Sequence, residues 1–238
     1  MIDTPISIAI DGPSGAGKST LARRCAEAFG FLYADTGAIY RTVGLAALRR
    51  GIDRKDPDAI SRMLPEIQIE LKYNETGEQR MFLDGEDVSD AIRLPEISIC
   101  ASDVSSLALV RQYLMNMQRS LAEHSSVIMD GRDIGTVVLP NADLKIFLTA
   151  SAEARAERRL KELLEKGVDT DFNAVLADIR YRDEQDSTRA AAPLRKAADA
   201  VLVDTSDLDL DESFALLSQL IIERFCLQDT SGHEAANV

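Results

Sequence analysis

The stretch DGPSGAGKST (residues 11–20) decides the fold, because it places a glycine-rich loop between an apolar run and a run of helix formers. Gly12, Gly17, Lys18 and Ser19 occupy every fixed position of the pattern G-x-x-x-x-G-K-[ST]. Glycines let successive backbone N–H groups turn towards phosphate oxygens, and the following helix N-terminus adds partial positive charge. The stretch therefore predicts a phosphate-binding loop that holds the triphosphate of ATP, with Mg²⁺ on the serine hydroxyl.

We expect the whole loop to contribute to ATP binding, through Gly12, Pro13, Ser14, Gly15, Ala16, Gly17, Lys18, Ser19 and Thr20. Three classes of protein use such a loop. A GTPase needs Asn-Lys-x-Asp, but no asparagine here precedes a lysine. An ATP-driven motor typically has a pair of acidic residues at the end of a strand, but this chain has Met-Asp-Gly at residues 129–131, with a single acidic residue. A small-molecule kinase needs a second anion site that faces the loop.

Composition excludes several other functions. The chain has 238 residues and a formal net charge of −13, which disfavours nonspecific binding to nucleic acid or an anionic membrane surface. Two histidines and three scattered cysteines (Cys25, Cys100 and Cys226) disfavour a transition-metal site. We expect the cysteines to be buried thiols. The N-terminus lacks a targeting pattern, and no stretch is apolar enough for a membrane span. The expectation is a cytoplasmic protein that acts on small nucleotides, as a monomer because no exposed apolar stripe is evident.

Strand and helix patterns alternate along the chain and predict an α/β fold with a five-stranded parallel sheet flanked by helices. The predicted strands are residues 6–10, 31–34, 126–129, 144–148 and 200–203. The predicted helices are residues 21–29, 37–50 (with Thr36 as N-cap), 110–123, 152–166 and 210–225.

One segment interrupts this alternation. Residues 67–73 and 80–83 read as two strands joined by the turn at 74–77, and Asp84-Gly85 is another turn. We expect a small antiparallel β insert over residues 63–96. The kinase core then comprises residues 1–62 and 97–227, and residues 228–238 form a polar tail that we expect to be disordered.

Arginines in this acidic chain suggest the second anion site. Arg132 and Asp133 follow the strand that ends at Asp130, and ligands of open α/β sheets bind at the carboxyl ends of strands. Arg41 follows the strand-to-helix turn at residues 35–37 and is placed to reach an acceptor phosphate. An ordinary surface loop remains the alternative for each.

Two further sets of charged residues have the spacing of a single helix face. Arg155, Arg158 and Arg159 lie at i, i+3 and i+4, and a second set comprises Arg182, Asp186 and Arg189. A solvated, salt-bridged helix would give the same pattern. Beside a phosphate-binding loop, an arginine-bearing helical lid over about residues 155–190 is the more attractive interpretation, because it would stabilise transferred oxygens and exclude water.

The whole set of motifs resembles the bacterial-type cytidylate kinases of the P-loop nucleoside monophosphate kinase group. Besides the loop, the matching stretches are DTGAIYR (35–41), LDGEDVSDAIR (83–93), DGRDIGTVVLP (130–140), KIFLTAS (145–151), RRLKELLEKG (158–167) and RDEQDSTRAAAPLRKAADAVLVDTS (182–206). The resemblance implies a P-loop kinase fold and transfer of the γ-phosphoryl group of MgATP to CMP or dCMP. GRDIGT and R-x-x-x-D-x-x-R-x-x-x-P-L distinguish this family from other P-loop kinases.

The resemblance also implies roles for individual residues. Arg41, Arg132 and Arg182 would hold the acceptor phosphate, Asp186 the ribose with Arg189 nearby, and Ser102, Arg111 and Asp133 the cytosine. Thr36 keeps the hydroxyl that the family often supplies as serine. Arg158 or Arg159 would belong to the lid, and adenine would lie near Thr205 and Ser206. The catalytic set is then Lys18, Arg132, Arg158, Arg159 and Arg182.

Cytosine selectivity follows from hydrogen-bonding chemistry. A carboxylate at Asp133 accepts from the N4 amino group, and Arg111 donates to N3 or O2. Uracil reverses the polarity at both places, so we expect CMP to be preferred over UMP. Ser102 and Arg111 are nine residues apart, out of phase on one helix, so both can face the base only if the helix breaks, for instance at Ser105-Ser106.

We expect direct in-line transfer without a covalent intermediate, because an acceptor phosphate oxygen is already anionic. Ser19 would ligate Mg²⁺ directly, and Asp35 or Asp130 would hold it through water. Two alternatives remain open at this point: a P-loop kinase for another nucleotide or small acceptor, and a nucleotide-binding regulator without turnover.

Overall fold

A computed structural model describes residues 5–165 and 167–227 of the chain. The expected disordered tail at 228–238 and residue 166, the predicted end of one helix, lie outside the described residues. The strands are β1 (Ser7–Asp11), β2 (Leu32–Asp35), β3 (Ile69–Tyr73), β4 (Gln79–Leu83), β5 (Glu86–Asp87), β6 (Val127–Gly131), β7 (Leu144–Thr149) and β8 (Val201–Asp204). The α-helices are α1 (Lys18–Phe29), α2 (Thr36–Arg49), α3 (Pro57–Met63), α4 (Pro95–Ser105), α5 (Ala108–Ser120), α6 (Ala152–Glu165), α7 (Phe172–Thr188) and α8 (Leu210–Phe225).

The central sheet has five parallel strands in the order β2-β6-β1-β7-β8, which confirms the predicted fold class. β1 lies in the middle, and its last residue, Asp11, is in register with Gly131 of β6 and Phe147 of β7. Parallel strands all end at the same edge of the sheet. The loops after β1, β2 and β6 therefore meet there, although they are far apart in the sequence.

The inner strands of the central sheet are buried on both faces, as their continuous apolar character requires, whereas Val201 and Leu202 of the edge strand β8 are exposed. Ile8 and Ile10 point to the face covered by α1 and α8, where they pack with Leu21 and Leu217. Alternate residues such as Met129 point to the other face and pack against the segment that follows β6.

The predicted antiparallel insert is present as a sheet with the order β3-β4-β5. Its apolar residues share a core with α2–α5, which includes Ile69, Met81 and Leu83. Two polar contacts join it to the edge of the central sheet. Tyr73 donates its hydroxyl to the Tyr33 carbonyl at 2.9 Å, and Gln79 bonds to the backbone of Asp35. The insert is thus anchored beside the end of β2.

A break between α4 and α5 occurs where the sequence suggested one. α4 ends at Ser105, Ser106 is its C-cap, and Leu107 is extended before α5 begins at Ala108. Because of this change of direction, Ser102 and Arg111 lie on separate helices, and both line the same cleft. A continuous helix would have placed them on different faces.

Two predictions about individual residues were wrong. The N-cap of α2 is Asp35, which accepts from the Ala38 amide at 2.9 Å, whereas Thr36 is the first helical residue. The Thr36 hydroxyl instead donates to the Asp130 carbonyl at 2.8 Å. Cys226 is exposed, because it forms the left-handed C-cap beyond the last turn of α8, while Cys25 and Cys100 are buried as expected.

Several elements had not been predicted. α3 was not predicted, α4 was implied only by the helix break expected near Ser105, and a π-helical turn over Ile134–Val138 follows β6. α7 was implied only by the spacing of its charged residues, and Arg189 lies one residue beyond its end as the C-cap. In the described part of the chain, no helix is long and apolar enough to cross a membrane.

Close packing of α2 against α4 gives a test of the fold. A Cβ at Gly44 would lie 2.9 Å from the Cβ and carbonyl carbon of Cys100. Helix propensity alone favours Gly44→Ala by roughly 1 kcal/mol. We expect the opposite, a loss of about 1–3 kcal/mol in the free energy of unfolding, because the buried contact is overpacked. Urea unfolding measures it. Glu157→Ala, at an exposed position of α6, is the control, and unchanged or increased stability of Gly44→Ala would contradict the packing argument.

Candidate nucleotide-binding site

A cleft of about 740 Å³ lies at the carboxyl edge of the central sheet. It extends from the phosphate-binding loop to α4, α5 and the α6–α7 hairpin. The predicted site residues that line it are Ser14, Gly15, Ala16, Gly17, Lys18, Ser19, Thr20, Asp35, Thr36, Arg41, Ser102, Arg111, Asp130, Arg132, Asp133, Arg158, Arg159, Arg182, Asp186 and Arg189. Gly12 and Pro13 lie behind this surface.

The phosphate-binding loop has the conformation that its glycines permit. Gly12 has φ +153°, and a Cβ there would lie 1.9 Å from the Leu148 carbonyl oxygen, so only glycine fits beside β7. Gly15 and Gly17 have φ values of +75° and +85°, in the left-handed region. Gly17 is the N-cap of α1, whose first amides are free to receive an anion.

Lys18 is buried at the start of α1, and its Nζ donates to the Pro13 carbonyl at 2.7 Å. Burial, together with the nearby Arg132, lowers the pKa of this ammonium group to about 7, against the opposing charge of Asp130. The group is therefore short of anionic partners. A triphosphate in the loop would supply them.

Asp130, at the end of β6, accepts two side-chain hydrogen bonds. Ser19 donates to Oδ2 and Tyr33 to Oδ1, each at 2.9 Å. Burial, together with the charge of Asp35, raises the pKa of Asp130 to about 6. A serine hydroxyl beside two carboxylates suits Mg²⁺, which keeps several waters and uses few protein ligands. The described residues contain no group of three or more acidic, histidine or cysteine side chains that could hold a metal ion.

Arg41 reaches back along the first turns of α2 to the residue that caps this helix. Its Nη2 lies 2.6 Å from Asp35 Oδ2, while its Nε is buried without a hydrogen-bond partner. The guanidinium is thus held at the cleft wall with unused donor capacity.

A network of buried charges lies opposite the phosphate-binding loop. Asp133 is paired with Arg111, and Arg189 approaches it to 3.6 Å. Arg132 donates to Asp186 at 2.7 Å, and Arg189 lies 3.6 Å from the same carboxylate. Atoms at the centre of the network, Arg111 Nη2, Asp133 Oδ2 and Arg189 Nη2, make no aligned hydrogen bond. Arg111 Nη2 and Asp133 Oδ2 contact each other as an ion pair, so a polar ligand that reached them would compete with this pair.

The pKa values reflect how this network is paired. Burial alone would raise the pKa of Asp186, but the Arg132 charge and hydrogen bond lower it below its usual value. Burial lowers the pKa of Arg189, and the adjacent Arg111 adds to that effect. Two arginines next to each other are tolerated because Asp133 and Asp186 lie between them.

The three arginines of α6 have different environments, although their spacing suggested one face. Arg155 is buried and bonds to the Ser14 carbonyl and to both carboxylate oxygens of Asp183. Arg158 donates to the carbonyls of Thr205 and Leu208, in the loop after β8. Among the described residues, Arg159 pairs with Glu162 alone, one turn further along the same helix. Arg155 therefore fastens the hairpin to the loop, while Arg158 and Arg159 line the cleft.

Sequence reasoning missed the supporting contacts of Asp11 and Tyr33. Asp11 is buried at the end of β1 and accepts from the backbone amides of Ile134 and Gly135 at 2.7 and 2.8 Å. Tyr33 bonds to Asp130, as described above. The position of Asp11 between an apolar strand and the first loop glycine was a signal, but its partners lie more than 120 residues away.

Comparison with known proteins assigns the family. The model for cytidylate kinase matches residues 8–223 of the chain. A cytidylate kinase of Caldicellulosiruptor bescii is 50% identical over 220 residues, which cover 92% of this chain and 95% of the relative. One of Syntrophotalea carbinolica is 45% identical over 230 residues, 97% of each chain. One of Nocardia farcinica is 49% identical over 223 residues, 93% of this chain and 96% of the relative. The chain belongs to the cytidylate kinase family.

Proposed function

We propose that the cleft transfers the γ-phosphoryl group of MgATP directly to the phosphate of CMP and dCMP, giving ADP and CDP or dCDP. Phosphorylation of CMP by ATP is the reaction of the family to which the chain belongs. The observation that carries the detailed proposal is the buried Asp133–Arg111 pair, placed across the cleft from the phosphate-binding loop. The residues proposed to recognise the base and those proposed to bind the triphosphate thus line the same cleft.

The donor occupies the loop and the space beside α6. Backbone amides of residues 12–20 and the Lys18 ammonium bind the β- and γ-phosphates. Leu208, in the loop after β8, lines the cleft next to Arg158, which bonds to its carbonyl. We place the adenine there, near Thr205 and Ser206, so that Arg158 both shapes the adenine pocket and borders the phosphates.

The acceptor phosphate is held by Arg41, Arg132 and Arg182. Each now has a carboxylate partner: Asp35 at 2.6 Å, Asp186 at 2.7 Å and Asp178 at 3.0 Å, respectively. A phosphate dianion offers stronger, charge-assisted hydrogen bonds to the same guanidinium groups. Asp186 then accepts a hydrogen bond from a ribose hydroxyl, with Arg189 beside it. Both CMP and dCMP have at least one sugar hydroxyl that can make this contact.

The cytosine lies against Asp133, Arg111 and Ser102. The Asp133 carboxylate accepts from N4, and Arg111 donates to N3 or O2. The Arg111 guanidinium also lies over the Tyr40 ring, 5.3 Å from its centroid, which restricts its orientation. Uracil would face Asp133 with an acceptor and Arg111 with a donor, and each mismatch leaves a buried group unpaired.

Catalysis then consists of position and positive charge. Ser19, with Asp35 or Asp130 through water, would hold Mg²⁺, which would offset the charge of the donor phosphates. Lys18 and Arg132 stabilise charge on the transferred group, and Arg158, Arg159 and Arg182 cover it from the α6–α7 hairpin. No side chain needs to remove a proton, because the attacking phosphate oxygen is already ionised.

The remaining features of the proposal concern organisation. The β insert (residues 63–96) would carry the acceptor side of the cleft, and the lid would comprise about residues 155–190. The insert's contacts with Tyr33 and Asp35, beside Arg41, support the first assignment. We also propose that the protein is monomeric and cytoplasmic.

Asp133 gives the test of base recognition. We expect Asp133→Ala to lower kcat/KM for CMP by at least about tenfold, because a buried donor of the base loses its acceptor. kcat/KM for UMP should fall much less. A coupled ADP-release assay with both acceptors measures the ratio, and the melting temperature of each protein controls for folding. Equal losses with CMP and UMP would contradict the assignment.

Arg159 gives the test of the lid. Its only described ion pair is with Glu162 of the same helix, so its removal should leave the fold intact. We expect Arg159→Ala to lower kcat by about tenfold or more, with KM for CMP changed little, because the contact forms with the transferred phosphoryl group. Arg180→Ala, at an exposed position of the same hairpin, is the matched control. A raised KM for CMP with unchanged kcat would argue against this role.

Lys18 predicts proton uptake when ATP binds. With a pKa of about 7, the free amine is mostly neutral at pH 8, and phosphate oxygens would restore its charge. We expect uptake of up to about one proton at pH 8 and little at pH 6, where Lys18 is already charged. Asp11 and Asp130 have pKa values of about 6, so they are ionised at pH 8 and contribute little there. Calorimetry in buffers of different ionisation enthalpy measures the uptake, which Lys18→Ala should abolish.

A further inference from the structure

Asp11 is a buried carboxylate that the proposed mechanism does not use. It is 4% exposed, and its two oxygens accept from two successive backbone amides, those of Ile134 and Gly135. These are the first amides of the π-helical turn that follows Asp133. The first amides of any helical segment lack partners within it and need an external acceptor. Asp11 satisfies two of them from another strand.

The position of Asp11 is itself tightly fixed. It is the last residue of the central strand β1, and it is in register with β6 on one side and with β7 on the other. The next residue, Gly12, lies against the backbone of Leu148 so closely that no Cβ would fit. The carboxylate therefore extends from a rigid point at the base of the phosphate-binding loop.

The turn that Asp11 holds sets the backbone of Asp133. The Asp133 carbonyl accepts from the amides of Val137 and Val138, at 2.9 and 3.1 Å. Asp133 has φ −145° and ψ 25°, outside the regular helical and extended regions, and its side chain does not cap the turn. Its carboxylate is thus free to face Arg111, and its direction depends on where the turn begins.

We propose that Asp11 is a positioning residue for base selectivity: by holding Ile134 and Gly135, it fixes the direction of the Asp133 carboxylate relative to the phosphate-binding loop. This inference rests on the proposed reading of cytosine by Asp133. The Asp11 side chain would join the phosphate-binding loop to the turn that carries Asp133. The distance between the bound base and the donor phosphates would then be set by β1.

The chemistry of the contact requires a carboxylate. Both partners are N–H donors, so two acceptor oxygens are needed, and an asparagine offers one oxygen and one NH₂ group. Burial raises the pKa of Asp11 to about 6 against the lowering effect of the two amides. A Cβ at Gly135 would be crowded by Lys145 Cδ at 3.1 Å and would touch Asp11 Oδ2 at 3.4 Å.

The test is Asp11→Asn, with kcat/KM measured for CMP and UMP and with ADP binding measured without acceptor. In Asp11→Asn, the asparagine NH₂ group would face one of the two backbone amides. Because both groups are donors, the start of the turn would move away. We expect the ratio of kcat/KM for CMP over UMP to fall by about tenfold. ADP affinity should change less than about threefold, because the loop backbone is held independently by Gly12 and β7.

Asp143→Asn is the matched control, since Asp143 also accepts two hydrogen bonds from β1, through Ser7 at the opposite end of the strand. It should leave the CMP-to-UMP ratio unchanged. Gly135→Ala places a methyl group against Asp11 Oδ2 and Lys145, and we expect it to lower the CMP-to-UMP ratio too. If Asp11→Asn does not fold, the ratio measured for Gly135→Ala tests the inference.

A double-mutant cycle with Asp133→Ala separates positioning from general destabilisation. If Asp11 acts through Asp133, Asp11→Asn should change the ratio little in the Asp133→Ala background. An unchanged ratio in Asp11→Asn and Gly135→Ala, or an equal fall in both backgrounds, would overturn the inference. If the unmodified protein itself shows no preference for CMP, the proposed base recognition fails instead, and the two failures are thereby distinguished.

Discussion

Burial of opposite charges at one edge of the central sheet is the constraint on which the rest of the site depends. A buried charge is costly unless a partner and hydrogen bonds compensate it. Lys18, Arg111, Asp130 and Asp133 are each no more than 5% exposed. Each therefore has a protein partner in the cleft without nucleotide, and those partners keep the guanidinium and carboxylate groups oriented. In the proposed function, phosphate and base would replace some of these protein partners as ligands of side chains that are already oriented.

Strand order explains why motifs so distant in sequence form one cleft. β1 and β6 are neighbours, so the phosphate-binding loop and the segment 130–135 leave the sheet side by side. β2 lies on the other side of β6, which brings Asp35 and Arg41 to the same edge. The antiparallel insert then packs against α2 and bonds to β2. Parallel connectivity thus brings the phosphate-binding loop, Asp130 and Arg41 to the ends of three adjacent strands.

The sequence was sufficient for the parts whose signals are local. Apolar strands, the glycine loop and the hairpin turns each follow from a short pattern, and the five strands were predicted to within about two residues. The predictions that failed depended either on the choice between two neighbouring cap residues or on contacts between distant parts of the chain. Thr36 looked like a cap, but Asp35 is one residue earlier and its carboxylate reaches Ala38. Helix spacing grouped Arg155 with Arg158 and Arg159, although only the fold reveals that Asp183 and Ser14 lie against Arg155. The role of Asp11 was invisible because its partners come from another strand's loop.

The partners of the hairpin arginines differ in how easily water can replace the arginine. Arg155 and Arg158 bond to backbone carbonyls, at Ser14 and at Thr205 and Leu208, and these contacts are partly buried, so releasing them costs more than releasing an exposed ion pair. Arg159 and Arg182 pair with carboxylates on their own helices that are more than half exposed, and water can replace the arginine there. The hairpin thus has two fixed arginines, which join it to the phosphate-binding loop and to the loop after β8, and two exchangeable ones, which line the cleft. If the hairpin acts as the proposed lid, Arg159 and Arg182 are the arginines that can turn to a substrate while the attachment to the phosphate-binding loop stays intact.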